Sequence, residues 1–216
     1  MFALFSLLIV FNNLHCLAKR VSYTYLVVQW SSVVNYYCRP TYGTVAKNFS
    51  IHGVWPNDMS SASIWSCDPK NQFNERKVST LVRDMQVFWS SITYPSTNSR
   101  QFWSHEWSKH RTCSGLIQFD YFDKTLQLKD RANILKALRN AGIKPGSFYP
   151  LDDMEKAVEV EIGFSPIIMY KNCLFKEIYI CVDSSALTFI ACPAQQLLVI
   201  VCLLLNFPLT LIKGGC

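Results

Sequence analysis

The chain has 216 residues, half of them hydrophobic, which is enough apolar material for one sizeable core and calls for no second domain. No internal repeat or low-complexity linker interrupts it. The formal net charge of +6 fits a polyanionic partner, nucleic acid among the candidates, although many secreted proteins are mildly basic without one.

Residues Met1 to Phe11 are almost wholly apolar and lead through Asn12 and Asn13 to Cys16-Leu17-Ala18. This pattern predicts a secretory signal over residues 1–18, cut near Ala18, despite the lack of a Lys or Arg at its start; a buried N-terminal strand or helix is the alternative. Removal of that segment leaves eight cysteines, a density that in an exported chain favours disulfides. No Cys-x-x-Cys pair occurs, which argues against a zinc ribbon.

Tyr25 to Trp30 reads as a buried strand. Asn48-Phe49-Ser50 is a glycosylation acceptor at Asn48, with an unused sequon as the alternative. Phe49 to Trp55 reads as a second strand, whose alternation puts Phe49, Ile51 and Gly53 on one face and Ser50, His52 and Val54 on the other. Helical spacing of Val78, Leu81, Val82, Met85, Phe88 and Trp89 predicts a helix from about Glu75 to Ser90. Two helices are expected between Phe119 and Gly142, the later one turning Ile134, Leu135 and Leu138 inward. Another begins at Pro150-Leu151-Asp152-Asp153 and runs to about Ile162. Strands follow at Ile167 to Tyr170, Phe175 to Val182 and Phe189 to Cys192. Strands early, helices in the middle and strands late predict a single α+β domain over residues 19–193, with a central antiparallel sheet flanked by several helices.

The chemistry concentrates in two aromatic-framed segments, Phe49-Ser50-Ile51-His52-Gly53-Val54-Trp55-Pro56 and Phe102-Trp103-Ser104-His105-Glu106-Trp107-Ser108-Lys109-His110. As a helix, the second places His105, Lys109, Glu106 and His110 within about 140° of one another, while Trp103 and Trp107 form a neighbouring stripe that anchors in the core. Zinc proteases carry histidines at i and i+4; here the spacing is i and i+5 with no third ligand motif, so no metal is expected. RNA cleavage needs a base for the ribose 2′-hydroxyl, an acid for the leaving 5′-oxygen and cations near the phosphorane. Two histidines, a lysine and a carboxylate meet that need, and DNA, without the 2′-hydroxyl, would not react. The alternative for a lone histidine is a satisfied place in the core.

His52-Gly53-Val54-Trp55-Pro56 and the run from Phe102 through His110 to Cys113 resemble the two active-site segments of the ribonuclease T2 family, of the plant S-like and S-ribonuclease type. Their order and the position of Cys67 between them agree, and the similarity runs from about Tyr25 to Pro193. The resemblance implies a secreted, cofactor-free endoribonuclease, monomeric and acting on RNA. His52 would be the general acid and His110 the general base in a transphosphorylation that gives a 2′,3′-cyclic phosphate. It assigns Glu106 and Lys109 to the phosphorane and His105 to a phosphate contact. Gln29, Trp55 and Asn57 match positions near the upstream base and Phe102 the downstream one; for Trp55 and Phe102 a core position is an equal alternative. The family's bridges would join Cys67 to Cys113 and Cys181 to Cys192.

Several residues depart from the family pattern. Arg111 stands where glycine is usual: a positive φ there would make its β-carbon costly, whereas ordinary helix would tolerate it and add a cation near substrate. Impaired catalysis, leaving an RNA-binding, storage or defence protein, is the second reading. Tyr94 lies about where a partner for Cys38 is expected, and Tyr170 near another expected cysteine, with Cys173 displaced by three and free to pair with Cys202. Residues 194–216 form an atypical tail. Its apolar run, Leu197 to Leu205, is short for a bilayer span of roughly twenty residues. An altered terminus is the first expectation, with a membrane anchor and a packed strand as alternatives.

Overall fold

The computed structural model describes residues 21–31, 48–58, 63–91, 99–193 and 202–208. The expected signal segment, Cys38, Tyr94, Cys216 and most of the tail lie outside these residues.

A six-stranded sheet is built from β1 (Tyr23–Trp30), β2 (Phe49–Asn57), β3 (Ser147–Pro150), β4 (Ile167–Lys171), β5 (Leu174–Asp183) and β6 (Leu204–Phe207), in the order β2-β1-β5-β6-β3, with β4 also on β5. The helices α1 (Val82–Phe88), α2 (Arg100–Lys109), α3 (Gln118–Arg131), α4 (Ile134–Asn140) and α5 (Leu151–Ile162) complete an α+β domain. Leu26, Val28 and Trp30 of β1 enter the main core with Trp89, Trp103, Trp107 and Phe122 from the helical layer. Tyr23, Tyr25 and Val27 enter a smaller cluster with Cys181, Trp55 and Tyr179. Side chains alternate across a strand, so the two clusters lie on opposite faces of β1.

The expected alternation of β2 fails at one residue. Val28 pairs with Ile51 but Val27 pairs with Gly53, so His52 is the extra residue of a β-bulge. The bulge shifts the phase: Phe49, Ile51 and Val54 enter the main core in place of the expected Phe49, Ile51 and Gly53. Tryptophan side chains hold this segment, Trp89 Nε1 donating to the His52 carbonyl at 3.0 Å and Trp103 Nε1 to the Trp89 carbonyl at 2.7 Å.

The helix expected from Glu75 to Ser90 is two pieces, a 3-10 turn (Glu75–Val78) and α1. The Asn74 side chain accepts from Arg76 N–H, while the Gln118 amide bonds both the N–H and the carbonyl of Asn74. This reciprocal clasp to α3 fixes the entry, and tertiary contacts override the local helical pattern. Val78, Met85 and Trp89 are buried, but Phe88, expected inward, is exposed.

The strand expected at Phe189 to Cys192 is reduced to an isolated bridge, Val182↔Phe189. Asp183 Oδ1 accepts from the N–H groups of Leu187 and Thr188, folding the chain into a tight loop instead of an extended partner for β5. The Cys181–Cys192 bridge closes that loop, and Cys67–Cys113 ties the segment before Glu75 to the turn that follows α2. A loop of 46 residues closed this way contributes about 4 kcal/mol in the chain-entropy model.

The sheet extends beyond Pro193. Leu204–Phe207 pairs antiparallel with Ser147–Pro150, a strand the sequence pattern did not announce, and Leu205 and Phe207 are fully buried. Cys173 is bonded to Cys202, and Asn206 N–H donates to the Cys173 carbonyl at 2.8 Å. Asn172 and Cys173 both have positive φ, the two-residue type I′ arrangement that joins β4 to β5. This part of the apolar tail is therefore a packed strand. Among the described residues no helix is long and apolar enough to cross a membrane.

Candidate active site

Three elements converge on one cleft. The bulge in β2 supplies His52 and, just beyond it, Trp55; the last turn of α2 supplies His105, Glu106 and Lys109, with His110 as its C-cap; β5 supplies Glu177 and Tyr179. Trp103 and Trp107, both buried, lock α2 against the core and so aim the opposite flank of the helix at β2.

His52 Nδ1 lies 2.7 Å from Glu177 Oε1. With Nδ1 as the donor, this bond fixes the ring and leaves Nε2 toward the cleft. Burial raises the Glu177 carboxyl, but the hydrogen bond and charge of His52, with Lys176 and the Tyr179 hydroxyl, outweigh it and hold the group below its ordinary range. Glu177 is thus held as a carboxylate. Glu106 is different: burial dominates and raises its carboxyl, against the opposing pull of His52, the Trp55 N–H and Lys109. Its Oε2 accepts from Trp55 Nε1 at 3.0 Å and stands 4.0 Å from His110 Nε2, beyond hydrogen-bond reach.

Gly53 makes this approach possible. A β-carbon there would collide with the Glu106 carboxylate and the Trp55 indole nitrogen. The requirement is for space, since Gly53 is not among the positive-φ glycines.

His110 is buried and stacks on Trp55, with ring centroids 5.1 Å apart and planes at 22°. Burial, then the charges of Lys109, His105 and His52, push it down to about 3. Its ring is therefore neutral over most of the pH range. His105 is exposed; its titration is lowered by desolvation and by the charges of Lys109 and His52.

The structure thus brings together His52, Glu106, Lys109 and His110, with His105 at the rim. Phe102 is half-buried, its ring 6.0 Å from that of His52. Trp55 is half-buried and flanked by His52, His110 and Tyr179. Asn57 is fully buried, its Nδ2 donating to the Trp55 carbonyl at 2.7 Å and its Oδ1 accepting from Ser63 at 3.3 Å. Gln29 is also buried, on β1 between Ser50 and Glu177. Asn48 is exposed at the start of β2.

Arg111 begins a 3-10 turn (Arg111–Cys113) and is not among the residues with positive φ, so its β-carbon meets no left-handed backbone. Its guanidinium is buried over the Trp107 ring, 4.1 Å from the centroid. The cation expected near substrate is instead packed on the core-facing tryptophan.

Glu177 and Tyr179 were not singled out in the sequence. The available signal was a carboxylate inside an otherwise apolar strand, where an ionised group needs a partner. Among the described residues no group of three or more His, Cys, Asp or Glu side chains is arranged to hold a metal ion.

The model of the ribonuclease T2 family matches residues 21–192. Intracellular ribonuclease LX of Solanum lycopersicum is 42% identical over 163 residues, 72% of this chain and 69% of its own length. Extracellular ribonuclease LE of the same organism is 35% identical over 210 residues, covering 89% and 90%. The crystal structure of RNase NT in complex with 5′-AMP superposes with a TM-score of 0.81 at 33% identity, covering 88% of this chain and 99% of that one. The chain belongs to the ribonuclease T2 family, and it is an endoribonuclease of that family.

Proposed function

We propose that the cleft cleaves single-stranded RNA by transphosphorylation, with His110 as general base and His52 as general acid. His110 takes the proton of the ribose 2′-hydroxyl, whose oxygen attacks the adjacent phosphorus. The bond from phosphorus to the 5′-oxygen breaks, and His52 supplies the proton that oxygen needs. The products are a 2′,3′-cyclic phosphate and a 5′-hydroxyl end. Hydrolysis of the cyclic phosphate by water follows the same path with the two histidines exchanging roles.

The observation that carries this reading is the asymmetry of the two rings. His110 is buried against Trp55 and unprotonated, the form in which a ring can take a proton, whereas His52 has its Nδ1 2.7 Å from the Glu177 carboxylate. Lys109, with Glu106 behind it, stabilises the phosphorane, and His105 at the rim contacts a phosphate oxygen. Of the base-contact residues, Trp55 and Phe102 line the cleft; Gln29 and Asn57 are buried behind it and act on the base through position. The ordinary backbone and packed side chain at Arg111 support an active enzyme over an impaired one.

Secretion is part of the same proposal, since an N-terminal apolar segment precedes a domain with three disulfides among its described residues. An N-glycan at the exposed Asn48 would follow from that route. The protein acts as a monomer without a cofactor, and residues 204–207 of its tail serve as a strand of the domain. The test is RNA cleavage by purified protein in chelator, with His52→Ala and His110→Ala alongside. Loss of at least a hundredfold in each is expected from the usual contribution of a general acid or base; full activity in either variant overturns the assignment.

A further inference from the structure

Of the six tryptophans, Trp30, Trp89, Trp103 and Trp107 are buried and Trp55 is half-buried, whereas Trp65 is 64% exposed. A large aromatic ring in water has no account in the core, and Trp65 belongs to neither hydrophobic cluster. It is nevertheless held firmly. Ile64 before it is buried and donates its N–H to the Pro56 carbonyl at 2.9 Å. Ser66 after it has φ 54°, and its N–H donates to the Lys109 carbonyl at 2.7 Å. Cys67 is then bonded to Cys113. A non-glycine residue with positive φ is retained where the surroundings over-determine it, often at a functional site. Here the turn and the bridge fix the backbone that carries Trp65 beside the active-site lysine, whose Nζ is 5.8 Å from the ring centroid.

That distance is at the outer limit of a cation–π contact, so Lys109 is not committed to the ring and remains available to a phosphate. Trp55, the other cleft tryptophan, has less to offer a ligand: His110 stacks on it, His52 and Tyr179 meet it in T-shaped contacts, and its N–H is taken by Glu106. The face left open to a base at this end of the cleft is that of Trp65.

We propose that Trp65 is a nucleobase-stacking platform at the mouth of the cleft, holding one base of the RNA next to the phosphate that Lys109 faces. The proposal rests on the ribonuclease reading of that cleft. Stacking on an indole face tolerates any base, so the platform contributes affinity more than base preference.

The test compares Trp65→Ala and Trp65→Phe with the wild type in three measurements: steady-state cleavage of an RNA oligonucleotide, calorimetric binding of adenosine 3′-monophosphate, and melting temperature. Trp65→Ala raises KM and Kd about tenfold, a typical loss for one base–aromatic stack. Its kcat and melting temperature stay at wild-type values, and Trp65→Phe recovers most of the loss. KM and Kd within twofold of wild type in Trp65→Ala overturn the proposal, as does an equal loss in Trp65→Phe. If the wild type cleaves no RNA, the ribonuclease reading fails on its own and the Kd comparison decides the stacking claim by the same criteria. If Trp65→Ala melts lower, Trp65→Leu against Trp65→Phe replaces it: equal Kd values overturn the proposal and weaker binding by the leucine variant supports it.

Discussion

Replacing His110 by glutamine should make the protein more resistant to acid, even as it removes the general base. In the unfolded chain a histidine takes up a proton near pH 6.5, whereas in the fold burial and the charges of Lys109, His105 and His52 push His110 down to about 3. Its folded pKa is depressed, so between these values the unfolded state binds a proton that the native state refuses. The stability His110 permits at neutral pH is therefore progressively lost as pH falls from about 6.5 toward 3. At pH 4 the loss is about 2.5 × 1.36, or roughly 3 kcal/mol. A neutral amide of similar size has no such penalty. At 2–4 °C per kcal/mol for a chain of this size, His110→Gln should melt roughly 6–12 °C higher relative to wild type at pH 4 than it does at pH 7. Scanning calorimetry at the two pH values measures this double difference, in which the cost of altered packing cancels. An identical melting difference at pH 4 and pH 7 would refute the claim that His110 is held neutral.

The same displacement sets the acid limb of catalysis: kcat/KM should fall only as pH drops toward about 3, and Lys109→Ala, by removing a positive neighbour, should move that limb to higher pH while lowering kcat; a limb unmoved in the variant contradicts the assignment. Glu177→Gln removes the carboxylate that orients His52, and a charge-assisted hydrogen bond of about 1.5–3 kcal/mol implies a kcat lower by roughly 10- to 100-fold. Gly53→Ala drives a β-carbon into Glu106 and Trp55; it should cost about 1–3 kcal/mol in denaturant unfolding and depress turnover, and wild-type values in both would show that the cleft has slack.

The elements that pack by regular periodicity are legible in the sequence. The helix from Leu151 to Ile162, the pair Gln118–Arg131 and Ile134–Asn140, and the strands at 23–30 and 174–183 all follow apolar spacing to within a few residues. The cluster of His105, Glu106, Lys109 and His110 was legible for the same reason, because one helical turn brings these positions to one flank. What escaped depends on distant partners. The bulge at His52 is set by register against β1, and no local pattern in β2 announces it. Glu177 reads as a stray charge until His52 is folded against it from 125 residues away. The break between Val78 and Val82 comes from the clasp of Asn74 by Gln118. Ser147–Pro150 becomes a strand only because Leu204–Phe207 returns beside it, which also brings these four residues of the apolar tail into the sheet.

The central claim is that His110 and His52 move the two protons of an internal transphosphorylation. Its most direct test is the product of a single cleavage event: a dinucleotide substrate digested in chelator, with the early product identified by phosphorus NMR. A 2′,3′-cyclic phosphate and a free 5′-hydroxyl end are expected, absent with His110→Ala and with a 2′-deoxy substrate. A 5′-phosphate product, or cleavage of the 2′-deoxy substrate, would contradict the claim.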